Sequence, residues 1–289
     1  APTNPFVYRQ PVRETLAFVE PVSFVRENRS AVFGDVDVPV LMSHAGVTPD
    51  RAILSDLGDE PMLVIGAHDH LRLDHEQGKV RYFHGGSWGG EVRLVRVRGG
   101  GAGFSVETIP VDASVAADGT LEALIAEQLD AHLGAEDREV ITTRDRALDL
   151  PASILVAVEA VRRAADADVA MLGHTTFGQP LLEGPLTAYD FDAFVRFDGD
   201  IRVAEISGET LARIMAKANQ HAASLDERTG DFVHANALDI DPGAGYRLAV
   251  NGWTAMNQQA YLGTDDIAFA EVDGLALKAI VRQALAEGA

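Results

Sequence analysis

Three short apolar runs between residues 36 and 98 each end in a turn of small residues that carries histidine. The turns are Ser43-His44-Ala45-Gly46, Gly66-Ala67-His68-Asp69-His70 and His84-Gly85-Gly86. An apolar run of four to six residues that glycine closes predicts a buried strand. The carboxyl ends of such strands are where α/β proteins usually bind their ligands. Any one histidine here is most simply a capping or core residue. The first two turns together favour metal binding instead, because neutral imidazole is a common metal ligand.

Length, charge and cysteine content exclude several classes of protein and of site. The 289 residues suit two domains, and no apolar run is long enough to predict a transmembrane helix. The net charge of −20, from 44 acidic and 24 basic residues, argues against nucleic-acid binding. The chain has no cysteine, which excludes disulfides, thiolate metal sites and a cysteine nucleophile. It begins at Ala1, and we expect a mature or trimmed product.

The basic residues are almost all arginine, since lysine occurs only at Lys79, Lys217 and Lys278. An acidic, arginine-rich surface is typical of proteins that live in high salt, where screening shortens the range of self-repulsion. A genome composition rich in alanine and arginine would explain the same pattern equally well. The sequence therefore leaves both explanations open.

The histidine turns resemble the second half of a calcineurin-like metallophosphoesterase domain, and most closely that of the 5′-nucleotidase family. That family has Leu-Ser-His-x-Gly and Gly-Gly-His-x-His strand ends, to which the turns at His44 and His68 are similar. Three later segments fall in family order: Leu182-Glu-Gly-Pro-Leu-Thr187, Val203-Ala-Glu-Ile-Ser-Gly208 and Tyr246-Arg-Leu-Ala-Val-Asn-Gly-Trp253. The resemblance extends over about residues 11–289.

The resemblance implies an α/β chain in three parts. Residues 1–112 would form the C-terminal part of a metallophosphoesterase β-sandwich that is flanked by helices. Residues 113–138 would form a connector helix, for which the apolar periodicity predicts residues 119–133 with Thr120 as the cap. Residues 139–289 would form the mixed α/β C-terminal domain that binds the substrate. Within it we predict strand structure around 191–197 and a C-terminal helix over 272–286.

The resemblance also implies roles for the histidines. His44 and His68 would bind one metal ion and His70 a second, while Asp69 would act from behind the ligands and His84 would line the mouth of the site. No single residue is assigned a catalytic role. The remaining histidines outside the second-domain turn are expected on the surface or in packing, namely His75, His132, His221 and His234.

The intact family site holds two divalent ions, here expected to be Mn²⁺ or Zn²⁺, and takes its other ligands from a first half that this chain lacks. Three imidazoles can hold one open tetrahedral Zn²⁺, but they cannot build a bridged two-metal centre. We therefore expect a fragment separated from its N-terminal portion. It would bind at most one ion and would be inactive alone.

The substrate implied by the resemblance is a small phosphoester, most simply a nucleotide. Phe197 and Trp253 match the two family aromatics that sandwich the nucleobase, although core packing is the alternative for both. Gly178 stands where the family has a substrate-binding arginine. Arg144 or Arg146 are candidates to replace its phosphate or ribose contact, although exposed charges often have no such role.

The resemblance therefore implies a metal-dependent phosphoester hydrolase of nucleotide catabolism, and it favours a location outside the cytoplasm. One alternative is a non-catalytic nucleotide-binding member with a vestigial metal half. The other is one half of a two-chain enzyme.

Overall fold

The computed structural model describes residues 9–58, 61–98, 103–112 and 114–288. These residues divide into two compact units. The first unit comprises the described residues up to 112 together with 223–231, and the second comprises 114–222 with 232–288. The sequence analysis assigned residues 223–231 to the second domain, whereas the structure groups them with the first unit.

The strands of the first unit are β1 Val40–Ser43, β2 Met62–Gly66, β3 Arg72–Gln77, β4 Val80–Gly85, β5 Glu91–Val97 and β6 Phe104–Pro110. The first four form a sheet with the order β1-β2-β4-β3, in which β1, β2 and β4 are parallel and β3 is antiparallel to β4. Strands β5 and β6 form a separate antiparallel pair. The helices are α1 Gln10–Arg13, α2 Pro21–Phe33 and α3 Val47–Leu57.

Helix α3 covers one face of this sheet. Its buried residues recur at helical spacing and include Ile53, Leu54 and Leu57. The helix begins at Val47, directly after the histidine turn that Gly46 closes. The sequence analysis missed β3, because Leu73 is its only buried residue and its other positions are mostly polar.

The strands of the second unit are β7 Val140–Arg144, β8 Val169–Gly173, β9 Gly184–Thr187, β10 Asp200–Ser207, β11 Val233–Ala235, β12 Gly245–Asn251 and β13 Ala270–Ala276. Five of them form a sheet with the order β11-β8-β12-β10-β13, in which only β8 and β12 pair in parallel. Strands β7 and β9 form a separate antiparallel pair. The helices are α4 Gly119–His132, α5 Leu150–Ala164, α6 Ala188–Phe194, α7 Gly208–Met215, α8 Gly252–Met256, α9 Gln258–Leu262 and α10 Leu277–Ala286. Short 3₁₀ helices lie at His174–Thr176 and Gln220–Ala222.

Helices cover both faces of the five-stranded sheet. Alternate residues of β8 point to opposite faces, so that Ala170 and Leu172 pack with α5 and α10, whereas Val169 and Met171 pack with α7 and α9. All five residues of β8 are buried, as expected for a strand between two helical layers. The mixed α/β architecture predicted from the sequence is confirmed.

Three local predictions were wrong, each because a polar or backbone contact outweighed the apolar pattern. Residues 188–194 form α6, since the side chains of Thr187 and Asp190 make a capping box at its start. The cap of α4 is Asp118, whose carboxylate accepts hydrogen bonds from the backbone N–H groups of Thr120 and Leu121. The C-terminal helix begins only at Leu277, because the preceding residues pair with β10 as strand β13.

No helix among the described residues combines the length and the apolar character needed to cross a bilayer.

Candidate metal-binding site

The three predicted histidine turns meet at one edge of the first sheet. Strands β1, β2 and β4 run in parallel, and their last residues are in register: Ser43 pairs with Gly66, and Gly66 pairs with His84. The carboxyl ends of these strands therefore bring His44, His68 and His84 to the same side of the unit.

The sequence analysis expected His84 to line the mouth of the site. The structure contradicts this expectation, because the ring of His84 is fully buried. Its Nε2 lies 2.5 Å from the hydroxyl of Tyr82, which donates a hydrogen bond of 2.9 Å to Asp50. Burial raises the pKa of Tyr82, and the Asp50 carboxylate adds to the shift. His84 is therefore part of the buried floor beneath the turns, and its Nδ1 has no hydrogen-bond partner among the described residues.

Two small residues, Ser43 and Gly66, complete this floor. The hydroxyl of Ser43 donates a hydrogen bond to Asp50, which is itself fully buried on α3. Gly66 provides the space for the ring of His84, because a Cβ at this position would overlap the imidazole. The strand ends and the start of α3 are thus held together by a buried polar network.

His44 and His68 are neighbours above this floor. Their ring centroids are 5.2 Å apart, and the planes meet at 76°. His44 is exposed, but the surrounding protein still removes part of its hydration, which lowers its pKa. The adjacent His68 lowers the pKa further. A lowered pKa keeps the ring neutral at pH 7, which is the form that binds metal ions.

A compact group of possible metal ligands consists of His68, Asp69 and Asp231. One ligand atom from each lies within 4.8 Å of the others, and no further such group of three or more occurs in the part of the chain that the structure describes. Asp69 is 3% exposed and accepts a hydrogen bond of 2.7 Å from the backbone N–H of Val47, the first residue of α3. The group contains His68 from the predicted set, while His44 and His70 lie outside it.

The sequence analysis missed Asp231. The Gly230-Asp231 dipeptide gives no signal of its own, because Gly-Asp occurs four times in the chain. Asp69, which was expected behind the ligands, contributes an oxygen to the group directly.

Asp231 belongs to the segment 223–231, which we call the strap. The guanidinium of Arg51 on α3 donates hydrogen bonds to the backbone carbonyls of Leu225 and Arg228, the latter at 2.5 Å. Gly230 has a φ of +100°, and a Cβ at this position would overlap the hydroxyl of Thr48. The strap therefore packs closely against the start of α3.

Arg228 of the strap is buried, with 1% of its surface exposed. Its guanidinium donates a hydrogen bond of 2.6 Å to the carbonyl of Ala223. Burial lowers the pKa of this guanidinium, and attraction to Asp69 and to the oxygen of Tyr82 opposes the shift. The site thus contains two carboxylates, an imidazole and one permanent buried cation.

In the second unit, both predicted aromatic residues present exposed rings. Phe197 is 56% exposed, and the guanidinium of Arg196 lies 5.0 Å from its ring centroid. Trp253 is 41% exposed, and its indole N–H donates a hydrogen bond of 3.2 Å to the hydroxyl of Tyr261. Arg144 is half-buried at the end of β7, where it pairs with Gly184.

A second histidine cluster in this unit was also missed. The buried rings of His174 and His234 are stacked, with Nδ1 of His174 and Nε2 of His234 2.9 Å apart. The exposed His221 stacks on His234 with a centroid separation of 5.8 Å. Burial lowers the pKa of His234 to about 2, and the neighbouring histidines contribute to the shift.

Comparison with solved structures identifies similar folds. A 5′-nucleotidase precursor from Thermus thermophilus has a TM-score of 0.61 at 15% identity, covering 94% of this chain and 65% of that chain. The Thermus thermophilus sulfate thiohydrolase SoxB has a TM-score of 0.61 at 18% identity, covering 95% and 56%. A 5′-nucleotidase from Candida albicans has a TM-score of 0.54 at 12% identity, covering 93% and 68%.

The chain thus spans less than two thirds of the length of the first two structures that it matches. No protein-family model matches the sequence. No curated protein matches it either. At identities of 12% to 18% these comparisons show the fold alone, and the chain has the fold of the 5′-nucleotidase family.

Proposed function

We propose that this chain is the metal- and nucleotide-binding part of a metal-dependent phosphoester hydrolase. The observation that carries the proposal is the group of His68, Asp69 and Asp231 at the carboxyl edge of a 5′-nucleotidase-like fold. Ligand atoms this close together, with one of the carboxylates buried, favour a bound cation.

The donor chemistry fits a divalent ion of the expected kind. One imidazole and two carboxylates suit Mn²⁺ or Zn²⁺. His44 and His70 lie beside this group in the sequence, and the proposal keeps both as further ligands. When bound, a divalent ion supplies Lewis acidity and positive charge to phosphoryl oxygens. We propose one ion for this chain and two for the intact protein.

The chain's own residues would prepare the site for this ion. The hydrogen-bonded floor of Ser43, Asp50, Tyr82 and His84 fixes the strand ends, and so limits the positions that His44 and His68 can occupy. His44 remains neutral at pH 7, and its ring nitrogens can then bind a metal ion or accept a proton.

A nucleotide is the substrate class that the second unit supports. Exposed aromatic rings offer faces for a nucleobase, and stacking is worth roughly 1–3 kcal/mol per base. Phe197 and Trp253 are the proposed platforms, and Arg144 is the proposed contact to phosphate or ribose. We further propose that the protein acts outside the cytoplasm, which rests on the family resemblance alone.

Full activity would require ligands that this chain does not provide. We propose that they come from an N-terminal portion or from a separate polypeptide, since the matched structures are longer than the chain. The chain alone should therefore hydrolyse AMP with added Mn²⁺ slowly or not at all. Rapid hydrolysis by these 289 residues would contradict this part of the proposal.

The metal site can be tested directly by calorimetric titration with Mn²⁺ and Zn²⁺. Wild type should bind about one ion, His68→Ala should bind far more weakly, and His75→Ala should match wild type because His75 lies on β3 outside the ligand group. Equal metal affinity of the His68→Ala variant and wild type would contradict the assignment of His68 as a ligand.

The exposed rings of Phe197 and Trp253 also favour a second candidate, a non-catalytic nucleotide-binding protein. The two functions differ in their dependence on metal. Adenosine binding can be followed by tryptophan fluorescence in EDTA and in Mn²⁺, with Phe197→Leu as the site variant because it keeps Trp253 as the reporter. Binding that resists EDTA, in a protein that stays inactive after the missing motifs are supplied, would favour the non-catalytic function.

A further inference from the structure

The strap forms a hydrogen-bonded turn of its own, which precedes Asp231 in the chain. The side-chain carboxylate of Glu227 accepts hydrogen bonds from the backbone N–H and the hydroxyl of Ser224, at 3.1 Å and 2.9 Å. The backbone N–H of Arg228 donates to the carbonyl of Ser224 at 3.1 Å. These bonds form one closed turn, and Asp231 follows three residues after it.

Two contacts fix this turn to helix α3. Arg51 binds the carbonyls of Leu225 and Arg228, so a single side chain holds both ends of the turn. Leu225 is itself buried, with 4% of its surface exposed. Gly230 then allows the backbone to pass close to Thr48, one residue before the ligand. The position of Asp231 thus depends on groups that are not ligands.

Electrostatics links this position to the metal. The carboxylates of Asp69 and Asp231 approach within 4.8 Å, and Asp69 is buried, so the two negative charges repel each other unless a cation compensates them. Arg228 lies where its charge attracts Asp69. A divalent ion between the carboxylates would add a stronger attraction and would draw the strap towards β2.

We propose that Arg51 is a positioning residue for the metal site: by docking the strap it places Asp231 as a ligand beside His68 and Asp69, so that strap docking and metal binding favour each other. The inference rests on the proposed metal site. Coupling of this kind is reciprocal, because a ligand that binds only the docked state stabilises that state.

The test compares metal affinity with docking of the strap in the full chain. The variants are Arg51→Met, Arg51→Lys and Asp231→Asn. Arg26→Met is the matched control, because Arg26 also binds α3, through Asp56, but does not contact the strap. Mn²⁺ and Zn²⁺ affinity is measured by calorimetry. Docking is measured by trypsin cleavage after Arg228, whose side chain is buried in the docked strap.

We expect Arg51→Met and Asp231→Asn to weaken metal binding about 10- to 100-fold, the range found when groups that orient metal ligands are removed. Arg51→Lys should fall between Arg51→Met and wild type, since one ammonium can still donate to a strap carbonyl. Added metal should slow cleavage after Arg228 in wild type and in Arg26→Met. It should slow cleavage much less in Arg51→Met.

Three results would overturn the inference in different ways. If His68→Ala loses the metal while Arg51→Met and Asp231→Asn retain wild-type affinity, the metal binds at His68 without Asp231, and the role of the strap is wrong. If wild type itself binds neither ion, the proposed metal function fails and the coupling fails with it. Faster cleavage after Arg228 in Arg51→Met at unchanged metal affinity would show docking without coupling, which also contradicts the proposal.

Discussion

Gly66 and His84 are paired across β2 and β4, and the glycine provides the space that the imidazole occupies. The pair joins the end of one strand to the polar floor beneath the ligand group. Because the ring is fully buried, it has little room to move aside when this space is filled.

Gly66→Ala should destabilise the protein by about 1–3 kcal/mol, the usual cost of overpacking a buried site. The free energy of unfolding in urea is the measurement. Gly245→Ala is the matched control, because Gly245 also lies in a strand and a Cβ there would meet no atom within 4 Å. A Gly66→Ala variant as stable as this control would contradict the packing described at His84.

Tyr82→Phe should also destabilise the protein by about 1–3 kcal/mol, because it leaves the buried Asp50 and His84 without the hydroxyl that joins them. Chemical denaturation at pH 7 measures the loss. Tyr189→Phe serves as the control, since Tyr189 is 46% exposed. If both variants lose the same amount, the hydroxyl of Tyr82 does not stabilise the floor.

His234 predicts a pH dependence of stability. Its folded pKa is about 2, far below the usual 6.5, so the unfolded chain binds a proton below pH 6.5 that the folded protein does not bind. Stability should therefore be full above pH 6.5 and should fall by about 1.4 kcal/mol for each pH unit below it.

Thermal and urea unfolding between pH 7.5 and about 5 would measure this slope. His234→Phe should flatten it, whatever its stability at pH 7, while replacement of the exposed His132 by Gln should leave it unchanged. An unchanged slope in His234→Phe would assign the acid sensitivity to other groups.

If the acidic surface is adapted to high salt, added salt should stabilise the folded protein. With a net charge of −20, self-repulsion among the carboxylates is strong at low ionic strength, and screening weakens it. The unfolding temperature should rise between low salt and about 1 M KCl, where the Debye length is about 3 Å. A constant or falling unfolding temperature would favour the explanation from genome composition.

Much of the fold was predictable because apolar runs and turns mark its buried elements. The histidine turns were predicted at strand ends, and β2 and β4, which end at two of these turns, are largely buried. Elements with few buried residues were not predictable in this way. Strand β3 buries only Leu73, and α6 depends on the capping box that Thr187 and Asp190 form.

The site was predictable only where its residues lie close together in the sequence. The turns at His44 and His68 follow neighbouring parallel strands, so their convergence could be expected from the strand pattern. Asp231 comes from a loop far along the chain, and only three-dimensional packing brings it to His68. The burial of His84 likewise depends on Gly66, whose role appears only once the two strands are paired.

The strap makes the first unit discontinuous in sequence. A gene cut after Asp112 would yield a polypeptide with His44, His68 and Asp69 but without Asp231 and Arg228. Recombination at that point would likewise separate Asp231 from His68 and Asp69. The two units are therefore not interchangeable modules, and a swap between relatives would have to carry a nine-residue piece of one unit inside the reading frame of the other.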